Sequence, residues 1–254
     1  MLNPSITVFM TTALAMIATA ACGSADDLTS GVSWYERNPD PDRPVEWSLH
    51  GWDTETLSTG QGCDCLDELE REVILHINMA RTDPSRYAEE FLEPRLVFFD
   101  GNIYREPGRV AIATIEGAAA LEDCIADMKD TDPAEPVLPS EILTLAALDH
   151  ARDLSASGET GHVGSDGSLF SARIERYGDW RNTIGEVISY GPDTGREIVI
   201  GLLIDDGVDD DGHRRNLLNP DFVLVGIAVE EHSSYGNVCV IDFAGGFAQD
   251  SPPR

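Results

Sequence analysis

Apolar residues recur at helical spacing where the regular part of the chain begins. Leu66, Leu69, Val73, Ile77 and Ala80 fall on one face of a helix. Acidic residues fill its first turns, where the helix dipole favours negative charge. The pattern predicts a long helix that starts close to Leu66.

Further segments carry helix signals, namely a residue that caps the start, an apolar face, or a glycine after the end. They are the short segment after Asp83-Pro84, 117–128, 140–157, 168–177 and the segment that Thr194 and Glu197 open as a capping box.

Strand signals come late in the chain. The β-branched runs 222–229 and 238–243 are separated by the turn-rich stretch EHSSYGN, which predicts a β-hairpin. A third strand is expected at 187–190. Helices followed by an antiparallel sheet indicate an α+β fold with helices packed on the sheet.

These elements divide the chain of 254 residues into one domain and its extensions. The domain is expected over 61–248, followed by a short tail at 249–254. Residues 23–60 are polar and acidic without sustained periodicity, which is typical of a linker or an irregular extension. Its tryptophans, Trp34, Trp47 and Trp52, indicate that parts of it lie against the domain.

The charge balance excludes one class of partner. The chain has 46 Asp and Glu against 17 Lys and Arg, a formal net charge of −29. Such a surface repels phosphate backbones and anionic headgroups, so we expect no nucleic-acid partner. Contact with a membrane is expected only through a lipid anchor.

The first residues are typical of an export signal over 1–22. Thr7 to Ala21 is apolar, too short to span a bilayer, and ends in small residues before Cys22. Cys22 is therefore either the acylated first residue of a lipoprotein or close to an ordinary cleavage site. Both alternatives predict an exported protein, extracellular or in the cell envelope.

Four cysteines remain after Cys22, an even number in an oxidising compartment. Cys63 and Cys65 stand too close in sequence to bridge comfortably to each other. We therefore expect each of them to form a disulfide with one of Cys124 and Cys239. The alternative is four free thiols.

Two glycine-flanked histidines are the strongest chemical signal. His162, in GHVGSDGS, and His213, in DDGHRRN, lie on either side of Glu186. Two imidazoles with carboxylates can hold a divalent metal or carry out acid–base chemistry. The alternative is that each imidazole binds a backbone carbonyl in its loop.

Other polar residues in the chain have simpler interpretations. Ser165 and Asp166 stand close to His162 but lack the spacing of a nucleophile elbow, so turn geometry accounts for them better. His76, His150 and His232 are interpreted as residues that pack or form hydrogen bonds.

Several segments in order resemble the CAP superfamily of cysteine-rich secretory, antigen 5 and pathogenesis-related proteins, also called SCP domains. The resemblance runs from about 66 to 247 and looks most like bacterial members. The segments that carry it are INMARTDPSRYA, LTLAALDHARDLSASGETGHVGSDGS, YGDWRNTIGEVISYG, LLIDDGVDDDGHRRNLLNP and VGIAVEEHSSYGNVCVIDFA.

The resemblance implies a three-layer α-β-α sandwich with an open cleft, lined by two histidines and two acidic residues. Matched by motif, these are His162, Glu186, Asp205 and His213. Asp205 departs from the glutamate that is usual at its position. The four residues imply a site for Zn²⁺ or another divalent cation, with the two histidines as the leading ligands.

The resemblance also implies a binding role, with a small-molecule or lipid-like ligand, rather than catalysis. The alternative is a metal-dependent hydrolase that acts on peptides or cell-envelope material. In that case Glu186 would act as the general base.

Overall fold

The computed structural model describes residues 47–208 and 210–248. A short helix, α1 (Thr54–Leu57), precedes the long helix α2 (Glu68–Thr82). Asp67 caps α2 as half of a capping box, in which Asp67 and Glu70 exchange hydrogen bonds of 2.8 Å. The helix predicted from Leu66 is confirmed. The predicted export signal, with Cys22 and Trp34, and the tail at 249–254 lie outside the described residues.

The predicted helices occur in the predicted order, with a π-helical turn, a 3-10 turn and a last helix in addition. They are α3 (Pro84–Tyr87), a π-helical turn (Ala88–Leu92), a 3-10 turn (Glu93–Phe98), α4 (Ala118–Asp130), α5 (Glu141–Ser157), α6 (Phe170–Glu175), α7 (Gly195–Ile204) and α8 (Gly212–Leu218). Ser140 caps α5, and Gly158 ends it in the left-handed conformation. Helix α8 was not predicted.

The strands form two sheets. The small sheet is β1 (Phe99–Asp100), β2 (Ile103–Tyr104) and β3 (Ile112–Ala113), all antiparallel. The main sheet comprises β4 (Leu138–Pro139), β5 (Ile184–Tyr190), β6 (Leu224–His232) and β7 (Gly236–Ala244) in the order β4-β6-β7-β5. The hairpin β6–β7 and the strand β5 are confirmed. The two-residue strand β4 pairs parallel to β6, so the sheet is mixed rather than purely antiparallel.

Alternate residues of the main sheet point into two separate cores. Val187 and Ile241 pack with α2, α4 and α7 on one face, whereas Ile188 and Val240 pack with α5 on the other. Because side chains alternate along a strand, each strand contributes to both cores. The result is the expected α+β fold, a sheet between two helical layers that agrees with an α-β-α sandwich.

Close packing fixes α5 on the sheet. A Cβ atom added to Gly226 would lie 2.1 Å from backbone atoms of Leu143 and Thr144. Only a glycine allows helix and strand to approach this closely.

The described end of the predicted extension, 47–60, packs on the domain. Trp52 and Leu57 are buried in the large core, and Trp47 stacks on Phe91. Arg86 lies over the Trp52 ring at 4.2 Å from its centroid. These contacts agree with the expectation that tryptophans of the extension lie against the domain.

The predicted disulfides are wrong. Cys63 is joined to Cys65, while Cys124 and Cys239 are buried and unpaired. The turn at this point brings the two Cα atoms to 5.3 Å, within the usual range of about 4.4–6.8 Å. The prediction assumed that two cysteines with one residue between them cannot bridge comfortably, and the path of this turn makes the bridge possible.

Within the described ranges, no helix combines the length and the apolar character that a bilayer span requires.

One buried arginine joins three parts of the fold. Arg81, which is 1% exposed, donates to backbone carbonyls of Glu135, Leu217, Asn219 and Phe222 at 2.8–3.0 Å. Burial lowers its pKa to about 10, so the guanidinium stays charged at neutral pH. The end of α2 is thereby tied to the segment before β4 and to the turn between α8 and β6.

Replacing this guanidinium should unfold the domain more easily. We expect Arg81→Met to lower the free energy of unfolding by about 3 kcal/mol, because four buried carbonyls lose their donor. Urea denaturation measures the loss. The exposed Arg181, which donates to a neighbouring carbonyl, is the control, and Arg181→Met should cost less than about 0.5 kcal/mol. Equal losses in the two variants would contradict the role of Arg81.

Candidate functional site

His162 and Glu186 form the first half of the candidate site. His162 lies in the glycine-rich loop between α5 and α6, and its Nδ1 is 2.8 Å from Glu186 Oε1 on β5. The second oxygen of Glu186 accepts from Arg173 Nη2 of α6 at 2.7 Å. The Glu186 side chain is fully buried. Both of its oxygens are thus engaged away from solvent.

Charge pairing keeps this buried carboxyl group ionised. Burial raises the pKa of Glu186, but the hydrogen bond from His162 and the charge of Arg173 outweigh it, and the pKa lies below its usual value. With Nδ1 donating to the carboxylate, a neutral His162 ring carries its lone pair on Nε2.

Hydrogen bonds from two elements hold the His162 loop in place. Gly161, with φ of +106°, donates its N–H to Tyr190 Oη at 2.9 Å and its carbonyl lies 2.8 Å from His150 Nε2. Burial lowers the pKa of His150, so the neutral ring serves as the donor. The loop is therefore fixed between α5 and β5.

The simpler interpretations of the neighbouring polar residues are confirmed. Gly167 donates its N–H to the Gly164 carbonyl at 2.8 Å and Asp166 accepts the N–H of Ser168 at 2.8 Å, which is turn geometry. Ser165 binds the Asp153 carboxylate of α5. His76 pairs with Tyr87 Oη, and His232 with a backbone carbonyl, as expected of packing histidines.

Asp205 and His213 form the second half of the candidate site. Asp205 Oδ1 is 2.5 Å from His213 Nδ1, and Oδ2 accepts the backbone N–H groups of His213 at 2.9 Å and Arg214 at 3.4 Å. Asp205 adopts φ of +58°, a conformation that Asp tolerates better than most residues. It therefore ends α7 and caps α8, which the sequence did not predict.

The structure brings the four predicted residues together as two pairs. Glu186 points toward the layer of α5 and α6, whereas Asp205 and His213 belong to α7 and α8 in the opposite layer. Helix α8 packs close to β5, since a Cβ atom on Gly185 would lie 3.1 Å from Asn216 Oδ1. In the described part of the chain no three of the four residues place ligand atoms within 4.8 Å of one another. A shared cleft for all four stays a prediction.

A further acid, Asp242, was missed by the sequence reasoning. It stands opposite Glu186 in the β5–β7 register and is fully buried. Burial, and then the charge of Glu186, raise its pKa well above the usual value. The Asp242 carboxyl group thus lies beside that of Glu186 on the neighbouring strand. In the sequence, the only sign of this residue was the presence of an acid within the otherwise apolar strand predicted at 238–243.

Three exposed or half-exposed acids form another cluster. Asp123 and Asp127 of α4 and Asp211 place carboxylate oxygens within 4.8 Å of one another and could hold a metal ion. Arg214 Nη2 already contacts all three, at 2.6–3.0 Å. In this structure the arginine supplies the positive charge.

A cavity of about 490 Å³ lies between α7 and residues 93–117. We call residues 93–117 the strap. Ile200, Gly201 and Ile204 of α7 face Phe99 and other apolar residues of the strap. None of the four predicted site residues lines this cavity. The sequence carried one sign of this cavity, since α7 has apolar residues on more than one face. Such a helix is typically covered on all sides.

A closed ion network forms one wall of the cavity. Arg95 Nη2 binds Glu197 at 2.7 Å, Arg109 Nη1 binds the same carboxylate at 2.8 Å, and Glu106 approaches Arg95 at 3.4 Å. Burial raises the pKa of Glu197, but the charge of Arg95 outweighs the effect of burial, and the pKa is lowered to about 2. Arg95 and Arg109 are thus both paired with carboxylates.

The chain is similar to a known protein family. The family model described as CAP, cysteine-rich secretory protein family, matches residues 102–243. No curated protein matches the chain.

Three solved bacterial structures are similar to the chain. An outer surface protein of Borrelia burgdorferi is 19% identical, with a TM-score of 0.37 over 45% of this chain and 79% of that one. An extracellular SCP-domain protein of Bacillus anthracis is 20% identical, with a TM-score of 0.36 over 49% of this chain and 37% of that one. A cysteine-rich secretory protein of Staphylococcus aureus is 12% identical, with a TM-score of 0.35 over 56% and 44%. This chain thus spans less than half of the latter two.

The buried acid Asp242 should make stability depend on pH. Its folded pKa is raised, so its contribution is fully present below the unfolded pKa of about 3.9 and is lost as pH rises toward the folded pKa. We therefore expect Asp242→Asn to raise the melting temperature at pH 7, by an amount that shrinks toward pH 4. Thermal melts across this range measure the difference. The exposed Asp221→Asn should show no such trend, and a pH-independent effect of Asp242→Asn would contradict the prediction.

Proposed function

Because the chain belongs to the CAP family of cysteine-rich secretory proteins, we propose that it is an exported binding module without catalytic activity. The observation that carries this proposal is the state of Glu186. The competing function, a metal-dependent hydrolase, needs that carboxylate as a general base.

Glu186 is poorly suited to accept a substrate proton. A general base must lie within hydrogen-bonding reach of the proton it removes. Both oxygens of Glu186 are engaged, by His162 at 2.8 Å and Arg173 at 2.7 Å, and the side chain is fully buried. These contacts support a role in orienting His162.

Export is supported by the first residues of the chain. The apolar run from Thr7 to Ala21 and the cysteine that follows it are typical of a cleaved signal, with lipoprotein processing at Cys22 as one of two routes. The acidic composition suits an exported, soluble domain that is tethered, if at all, by lipid.

The cavity under the strap supports a small or lipid-like ligand. Its volume of about 490 Å³ lies within the range of about 300–1,000 Å³ that is usual for small-molecule sites. Its walls are largely apolar, and its arginines are neutralised by Glu197 and Glu106. Such a lining favours a ligand that is mostly apolar.

The donor set also suits a divalent cation. Each histidine gives Nδ1 to a carboxylate, an arrangement that orients metal-bound imidazoles in many proteins. His162 and His213 would then be the ligands through Nε2, as the resemblance implies. Glu186 and Asp205 would hold the rings rather than bind the ion. The ion would stabilise the site.

Metal binding and catalysis are tested together. We expect His162→Ala and His213→Ala each to weaken Zn²⁺ binding at least about tenfold in calorimetric titration, since each removes one ligand. His50→Ala, at an exposed position, is the control and should leave binding unchanged.

Glu186→Gln separates the binding module from the hydrolase. The binding module predicts no turnover of a peptide and ester panel by either protein, with or without Zn²⁺. Hydrolysis that a chelator stops and that Glu186→Gln abolishes would overturn the proposal.

The cavity is tested independently of the metal. We expect an uncharged naphthalene dye to bind the wild-type protein, with binding weakened at least about tenfold by Ile204→Trp, because the larger ring fills the cavity. Dye fluorescence measures this. Val163→Trp adds the same ring at an exposed position that does not line the cavity and should bind like wild type. Equal binding by all three would contradict the assignment.

A further inference from the structure

The Cys63–Cys65 disulfide has the properties of a reactive bond. It is the only disulfide among the residues described, and it closes a loop with a sequence separation of 2. We propose that this pair is a redox-active disulfide that oxidises dithiols of other exported proteins or peptides. This activity goes beyond the proposed binding role and does not depend on it.

The bond contributes little as a crosslink. A disulfide stabilises a fold mainly by restricting the unfolded chain, and the effect grows with the length of the loop it closes. Cys63 and Cys65 are separated by Asp64 alone, so no distant elements are joined. Breaking the bond should leave the domain folded.

The bond is accessible to an attacking thiolate. Cys63 and Cys65 pack against the large core but are only half-buried, and Asp64 between them is exposed. Gly62, directly before the pair, has open space beside it, since an added Cβ atom would meet nothing within 4 Å. A flexible peptide thiol can therefore reach the sulfurs.

Positive charge lies close to the pair. Arg71 donates Nη2 to the Cys63 carbonyl at 2.9 Å, and its buried Nε has no hydrogen-bonding partner among the described residues. The N-terminus of the 15-residue helix α2 follows directly, at Glu68. An arginine and a helix N-terminus both stabilise a thiolate, the species that leaves when a disulfide is attacked.

Acids at the start of α2, namely Asp67, Glu68 and Glu70, oppose this effect. Asp67 accepts the N–H of Glu70 as the cap of α2, and Asp64 is exposed, where solvent and salt screen its charge.

The other described thiols are unsuited to this chemistry. Burial raises the pKa of Cys124 to about 12 and also raises the pKa of Cys239. Both side chains are buried in the large core. Sulfur exchange in the described part of the chain is thus confined to the 63–65 turn.

The exchange is balanced without a further reactant. A substrate thiolate attacks Cys63 Sγ, a mixed disulfide forms, and Cys65 leaves as the thiolate and takes up a proton. The second substrate thiol, deprotonated, then attacks the substrate sulfur of the mixed disulfide and releases Cys63. The substrate gains one disulfide, and two electrons and two protons pass to the Cys63–Cys65 pair.

The test uses the full chain in glutathione buffers. Alkylation and peptide-level mass spectrometry report the redox state of the 63–65 turn separately from other cysteines. We expect the pair to become mostly reduced in about a hundredfold excess of reduced over oxidised glutathione, with the fold retained by circular dichroism. A turn that stays oxidised there, or a protein that unfolds on reduction, would show a structural disulfide and overturn the proposal.

Activity and control variants complete the test. The oxidised protein should convert a reduced dithiol peptide to its disulfide in a one-to-one ratio. Cys65→Ser should abolish this, Arg71→Met should slow it at least about threefold, and Arg71→Lys should restore part of the rate. Cys124→Ser is the matched control and should react like wild type. Absence of peptide oxidation by the wild-type protein would refute the activity, whatever the outcome of the zinc and dye experiments.

Discussion

The ionised Glu186 carboxylate, buried between Arg173 and His162, is the interaction on which the candidate site depends. A charge removed from water is tolerated only when it is paired and hydrogen-bonded. Arg173 on α6 supplies the opposite charge, and the loop that carries His162 supplies the second bond. Strand, helix and loop must therefore meet at one point. The place of His162 follows from this requirement.

The same principle recurs elsewhere in the molecule. Asp205 pairs with His213, Arg95 with Glu197, and Arg214 with three aspartates, while Arg81 is satisfied by carbonyls alone. Each of these interior charges thus has a partner, either an opposite charge or, for Arg81, backbone carbonyls. Asp242 differs, because burial beside Glu186 holds it in the neutral form.

Much of the fold could be predicted because its signals are local. The caps Asp67 and Ser140 and the terminator Gly158 act within one helical turn, so sequence reasoning located α2 and α5 well. The hairpin β6–β7 carried equally local turn chemistry. Helix α8 and the strands of the strap were missed, since each is short and α8 takes its cap from a residue outside it. Asp205, for example, caps α8 from the end of another helix.

The candidate site divides in the same way. The sequence by itself determined the order of elements, the α+β class and the excess of acidic residues, because spacing and composition are written along the chain. The residues His162, Glu186, Asp205 and His213 were implied by the resemblance to CAP segments. Only the tertiary structure decided that these residues form two His–carboxylate pairs, that Asp242 adjoins Glu186, that Cys63 bonds to Cys65, and that α7 and the strap enclose a cavity. These features depend on distances between segments far apart in sequence, or on the path of a single turn. Such distances are set by packing, which no local pattern records.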